Sequence, residues 1–163
     1  MSSICINKFP LGTIFTLITK KYVSSLYNEL EGMPIDRYFS VLMLLDKEQR
    51  SLNQQYIADE LGFDKTAMVR MMDYLMEEGM VEKELNPENR REYLVSLTSK
   101  SKKVLPEIKQ IVCNQNKKAF AGVSAAETKM FFDVLEKLNE NLSHHHADDI
   151  IIEVKSLRKN KKK

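Results

Sequence analysis

Residues 81–98, VEKELNPENRREYLVSLT, interrupt a chain whose pattern is helical almost everywhere else. Val81 and Leu85 alternate with the charged Glu82 and Glu84. Tyr93, Val95 and Leu97 alternate with Glu92, Leu94 and Ser96. A period of two predicts half-buried strands, and the polar stretch between them, with Pro87 and the turn-forming Asn86 and Asn89, predicts a hairpin tip. Arg90 and Arg91 sit at that tip, on the entry to the second strand. The expected fold class is therefore mainly α with one β-hairpin (α+β).

Upstream of the hairpin, Asp64 is suited to cap a helix over 65–78. Met68, Met71, Met72, Leu75 and Met76 fall on its inner face, Thr66, Arg70, Asp73 and Glu77 on the opposite one, and Gly79 ends it. Ser51 and Gln54 have the spacing of a capping box for a helix that runs through Ile57 and Leu61 and closes at Gly62. Before it, residues 37–46 are apolar nearly all round, as expected of a short buried helix. Leu11, Ile14, Phe15, Ile18, Tyr22, Leu26 and Leu30 recur in steps of three and four, which predicts one long amphipathic helix over 11–31, ended by Gly32 and Pro34.

Downstream, Thr98 is placed to cap a helix with Val104, Ile108, Ile111 and Val112 on one stripe, and Pro106 is expected to bend it or delay its start. Ser124 and Glu127 form a second capping box, opening a helix with Phe131, Val134, Leu135, Leu138 and Leu142 turned inward. Two short helices joined by a tight turn and followed at once by a hairpin make a winged helix-turn-helix. In that arrangement the second helix enters the major groove of DNA and the hairpin reaches the neighbouring backbone or minor groove. The expected organisation is a helix for dimerisation over 1–34, a DNA-binding lobe over 35–100, further dimerisation helices over 101–147 and a basic tail over 148–163, all within one structural domain.

Bulk properties bound this reading. With 163 residues, 43% of them hydrophobic and 29% charged, the chain suits a globular protein with a real core. No apolar run approaches the ~20 residues that span a bilayer. The first residues lack a basic segment and a small-residue cleavage site, so no secretory leader is expected, and Cys5 and Cys113 make no disulfide framework. A cytoplasmic protein without cofactor or membrane partner is expected. The net charge is +2, yet residues 150–163 hold six basic residues against one acidic, a local +5 that leaves about −3 for the rest. Any DNA-binding surface must therefore be a local patch, and the basic tail reads as a solvated end.

The segment from Leu52 to Ser101 resembles the core of the MarR (multiple antibiotic resistance regulator) family of bacterial transcription factors. The matching residues are Ile57-Ala58, Leu61-Gly62, Arg70, Leu75, Gly79-Met80-Val81, the Arg90-Arg91 pair and Leu97-Thr98. The order of long flanking helices extends the likeness to residues 11 to about 143. The resemblance implies a homodimer with intertwined terminal helices, bound to pseudo-palindromic operator DNA, usually as a repressor released by a small molecule. Three departures stand out. Asn89 replaces an Asp that would orient an arginine through an ion pair, Ala67 and Val69 stand where hydroxyl residues are common, and Ser101 replaces a Gly.

Within that frame Arg70, on the exposed face one turn into the second helix, is expected to touch a base edge or a phosphate, since Arg bonds bidentately to guanine. Lys65, Thr66 and Ala67 occupy the first turn, where phosphate is commonly held. Asp73 and Glu77 would repel phosphate, so only the first half of the helix should enter the groove. By family position Arg91 is the residue for the minor groove and Arg90 for a phosphate. Tyr22, Tyr38 and Phe39 are candidate linings of an effector site, against the plainer reading that they are core.

Other motifs are weaker. Three consecutive histidines, His144, His145 and His146, point about 100° apart on a helix and cannot all face one ion, so no metal site is expected. Cys5 and Cys113 offer a redox-sensing alternative, although Cys5 has only Lys8 nearby to activate it. No nucleotide-binding Gly-rich loop, catalytic triad or carboxylate pair is apparent, and an enzyme is not expected. A winged helix serving as a protein-interaction module is the alternative from another class.

Overall fold

The computed structural model describes residues 10–35 and 38–142. The elements run α1 (Leu11–Glu29), α2 (Phe39–Glu48), β1 (Leu52–Asn53), α3 (Gln54–Leu61), α4 (Lys65–Glu77), β2 (Val81–Leu85), β3 (Tyr93–Leu97), α5 (Ser99–Ala119) and α6 (Ala125–Leu142). The fold is six helices and a small antiparallel sheet. No helix among the described residues is long and apolar enough to cross a membrane. Cys5, the three histidines and the basic tail lie outside the described residues.

The chain divides into two compact units. Tyr22–Ser124 forms the larger, which holds the core. Leu26, Leu30 and Ile35 pack with Val41, Leu42, Leu44 and Leu45 of α2, Ile57 and Ala58 of α3, Met68, Met71, Met72 and Leu75 of α4, and Leu105 and Ile108 of α5. The apolar faces of α2 to α5 and the last turn of the α1 stripe thus converge on one cluster, because helices with a single apolar side must bury it against each other. Leu105, absent from the expected α5 stripe, is buried with Ile108.

The hairpin has a third strand. β1 pairs antiparallel with β3, Leu52 opposite Val95, and β2 pairs on the other side, giving the order β1-β3-β2. This corrects the expected capping box at Ser51. Asn53 is the cap of α3, its side chain accepting from the Tyr56 N–H at 2.7 Å. Leu52 is buried and extended, so the chain stays in the sheet two residues longer before the helix begins. α2 likewise starts at Phe39 and runs to Glu48, two residues later than read.

The strands also outrun the core. Val81 and Val95 are buried, whereas Leu85 and Tyr93, directly opposite each other, are 55% and 54% exposed. The expected half-buried alternation therefore holds only for the inner half, and the outer half projects as a wing. Arg90 and Arg91 lie in the turn before β3, not on the strand entry. Asn86 N–H donates to the Glu92 carbonyl at 3.0 Å, one step beyond the last strand pair. The Asn86 and Asn89 side chains accept from the Glu88 and Arg91 N–H groups, which holds the backbone between Asn86 and Glu92 in turns.

α5 starts at Ser99 without delay and is continuous through Pro106. Proline removes one helical bond, to the Lys102 carbonyl, and both residues are exposed where water can serve it. Ser101, the replacement for a glycine, is fully buried but satisfied: its hydroxyl donates to the Thr98 carbonyl at 2.9 Å.

Among the described residues, the second unit comprises α1 up to Lys21 and residues 125–142. Its apolar stripes are not buried by other described residues. Leu11, Ile14, Phe15, Leu17 and Ile18 are exposed, and no residue of α6 is buried. The inward face expected for α6 is corrected accordingly: Phe131, Val134 and Leu142 are exposed, and Leu135 and Leu138 half-buried.

Candidate nucleic-acid interface

Three residues separate α3 from α4, and each has a definite role. Gly62 takes a left-handed conformation, φ 66°, which reverses the chain at no steric cost. Phe63 is half-buried against the core. Asp64 caps α4, its carboxylate accepting from the Ala67 N–H at 2.8 Å. That bond commits the Ala67 N–H, and Ala67 packs partly against the core. The first-turn N–H groups left to point outward are those of Lys65 and Thr66.

Lys65, Thr66 and Arg70 are all exposed. None of Lys65, Arg70, Arg90 and Arg91 forms an ion pair among the described residues. Four cations on the first half of α4 and the wing turn, without ion pairs among the described residues, stand as local positive charge that a net charge of +2 concealed. Asp73 and Glu77 are exposed further along α4 and limit the patch to its first half. Val69, 42% exposed between Thr66 and Arg70, belongs to the same surface. Its three-residue step from Thr66 is the signal in the sequence that places it there.

The effector candidates lie elsewhere. Tyr22, Tyr38 and Phe39 are half-buried against the core. Tyr38 meets Tyr74 edge-on, ring centroids 5.3 Å apart, and the Tyr22 hydroxyl donates to Asn116 Oδ1 at 2.6 Å. Burial raises the Tyr22 pKa above its ordinary value. A cavity of about 380 Å³ opens between the α3 start, with Arg50, Asn53 and Tyr56, and the wing turn Asn86–Glu88, and none of the three candidates lines it. Cys113 is free and exposed. No cluster of metal-ligating side chains occurs among the described residues.

A tight helix-turn-helix followed by an antiparallel wing defines the class: a winged helix-turn-helix protein. Residues 32–92 match the model of the MarR family. Solved structures of that kind have the same fold over most of the chain. A MarR transcriptional regulator from Methanosarcina mazei Go1 is 27% identical with a TM-score of 0.74, covering 82% of this chain and 90% of its own. A putative MarR family regulator from Listeria monocytogenes, solved with a 26mer DNA, is 22% identical with a TM-score of 0.76, covering 83% and 91%. A mutant MarR from E. coli, complexed with operator DNA, is 24% identical with a TM-score of 0.73, covering 84% and 99%. The winged helix-turn-helix of this chain is thus similar to that of the MarR family of transcriptional regulators.

Proposed function

We propose that the protein is a sequence-specific DNA-binding transcriptional regulator, not an enzyme, that grips a pseudo-palindromic operator as a homodimer. The observation that carries this reading is the cationic set Lys65, Arg70, Arg90 and Arg91 on the first half of α4 and the wing tip, exposed and without ion pairs among the described residues. Thr66 and Arg70 face base edges in the major groove, and Val69 offers an apolar contact of the kind a thymine methyl accepts. Lys65 and Arg90 hold phosphate, and Arg91 enters the minor groove, whose narrow negative form favours arginine. Ala67 contributes closeness of approach, since its N–H is already used.

The exposed apolar stripes of α1 and α6 support dimerisation, because a surface of that kind is costly to leave in water. Repression, and release by a small molecule at Tyr22, Tyr38 and Phe39, are part of the same reading by family likeness. Selection of duplexes from a randomised pool by the purified chain tests it. An inverted repeat with half-sites one helical turn or a multiple of it apart is expected. Equal affinity for selected and scrambled duplex at physiological salt leaves the protein-interaction module as the better account.

A further inference from the structure

The end of the recognition helix is tied to the start of α5 by an unusual concentration of bonds. Three consecutive carbonyls follow α4, those of Glu78, Gly79 and Met80, and all three receive donors from two residues of the β3–α5 junction. Lys100 Nζ donates to the Glu78 carbonyl at 2.6 Å. Thr98 Oγ1 donates to the Gly79 carbonyl at 2.7 Å, with the Met80 carbonyl at 3.3 Å. The Thr98 N–H also donates to the Met80 carbonyl at 3.3 Å.

The local geometry makes these bonds directional. Gly79 is left-handed, φ 65°, and the N–H groups of Glu78, Gly79 and Met80 turn back onto the carbonyls of Tyr74, Met76 and Leu75. The helix therefore closes its own last turn, and its next carbonyls project toward α5. The Lys100 stem lies over Gly79, at ordinary contact distance from where a Cβ would stand. Its ammonium reaches a carbonyl and no carboxylate among the described residues, at the helix end where a positive charge is favoured. Thr98 meanwhile caps α5, its hydroxyl accepting from the Ser101 N–H at 3.2 Å. One side chain thus ends one helix and begins the other.

We infer that Thr98 and Lys100 are positioning residues for DNA recognition: they fix the tilt of α4 on α5 without touching DNA themselves. α5 is anchored in turn by Lys109 to Asp46 of α2 at 2.5 Å and by Gln115 and Asn116 to Ser25 and Tyr22 of α1. A shift of α5 along those contacts would be delivered to the recognition helix at this tie. The inference rests on the DNA-binding reading above.

The experiment compares the full chain with Lys100→Met, Lys100→Arg and Thr98→Ser, using a duplex selected by the wild type and a scrambled duplex of equal length, at several salt concentrations. Lys100→Met keeps the stem over Gly79 and removes the donor and charge. Lys100→Met is expected to weaken the selected duplex by about fivefold while affecting the scrambled one less. The salt slope should stay at the wild-type value, and Lys100→Arg and Thr98→Ser should bind as the wild type does. A loss accompanied by a fall of about one in the salt slope would make Lys100 a phosphate contact and overturn the inference. So would unchanged affinity in a folded Lys100→Met, or a lowered melting temperature with affinity intact below it. Failure of the wild type to prefer any duplex overturns the DNA reading itself, before any variant is compared.

Discussion

Asn89 Oδ1 accepts a hydrogen bond from the backbone N–H of Arg91 at 3.2 Å, so the side chain that departs from the family pattern still shapes the wing. The usual Asp would offer the same acceptor and an ion-pair partner as well. Asn supplies the turn without the charge.

Two substitutions separate these roles. Asn89→Ala removes the acceptor, and a turn bond of this kind contributes about 1 kcal/mol, so DNA binding should weaken several-fold. Asn89→Asp keeps the acceptor and adds the missing partner for an arginine, and it should tighten binding. Titration of the selected duplex by fluorescence anisotropy measures both. Equal affinity of the Ala and Asp variants would show that the turn bond does not hold the wing.

The half-buried phenol of Tyr22 predicts a pH dependence of stability. Burial disfavours the phenolate, so the folded pKa stands above the ordinary value of 10.0. The hydroxyl must also keep its proton to donate to Asn116. Above the ordinary value the unfolded chain releases this proton while the folded one retains it. The contribution is therefore complete below about pH 10 and is lost as pH rises toward the folded pKa. Urea unfolding of the wild type and Tyr22→Phe at about pH 8 and about pH 10.5 reads it out. The stability advantage of the wild type should shrink at the higher pH, and a constant difference would count against the assignment.

How much of this was legible in the sequence depended on whether the deciding interaction was local. Asp64, Thr98, Gly62 and Gly79 were readable because a cap or a left-handed turn is settled within four residues. The core face of α4 followed from its Met and Leu spacing for the same reason. β1 was not legible: two residues carry no period, and Leu52 is a strand only because Val95, far along the chain, pairs with it. The exposure of Leu85 and Tyr93 was hidden too, since alternation says which side a residue faces and not where the core ends. The candidate interface was half visible. The exposure of Arg70 followed from helical spacing, but the lack of ion pairs among the described residues and the commitment of the Ala67 N–H needed the structure.

Ile18, 59% exposed on α1, discriminates between a monomer and the proposed dimer. On a monomer, Ile18→Glu replaces a solvated apolar side chain and should change stability by less than about 0.5 kcal/mol. In a dimer that buries the stripe, it places an unpaired charge in an apolar interface and should lower the association constant by orders of magnitude. Sedimentation equilibrium over a micromolar concentration range measures this. A wild type that is monomeric throughout would remove the homodimer from the reading.

Arg70 and Arg91 are both exposed and both without ion pairs among the described residues, yet the elements that carry them predict different failures. Arg70 projects from α4, whose cap and buried methionines fix its direction, so it is suited to one bidentate contact with a base edge. Arg70→Ala should cost ~1–3 kcal/mol on the selected duplex and relax preference at one position of each half-site. Arg91 projects from a turn that stands clear of the core, where position along a groove matters more than the identity of one base. Arg91→Ala should weaken binding to most sequences, lower the salt slope by about one, and abolish any preference for A·T-rich flanks. Binding isotherms at three salt concentrations, on the selected duplex, a single-position mutant and a duplex with G·C flanks, separate the two patterns. If Arg70→Ala changes affinity uniformly across all three duplexes, Arg70 holds a phosphate and base reading passes to Thr66 and Val69. Should Arg91→Ala leave both the slope and the flank preference intact, the wing tip is architecture and the minor-groove assignment is wrong.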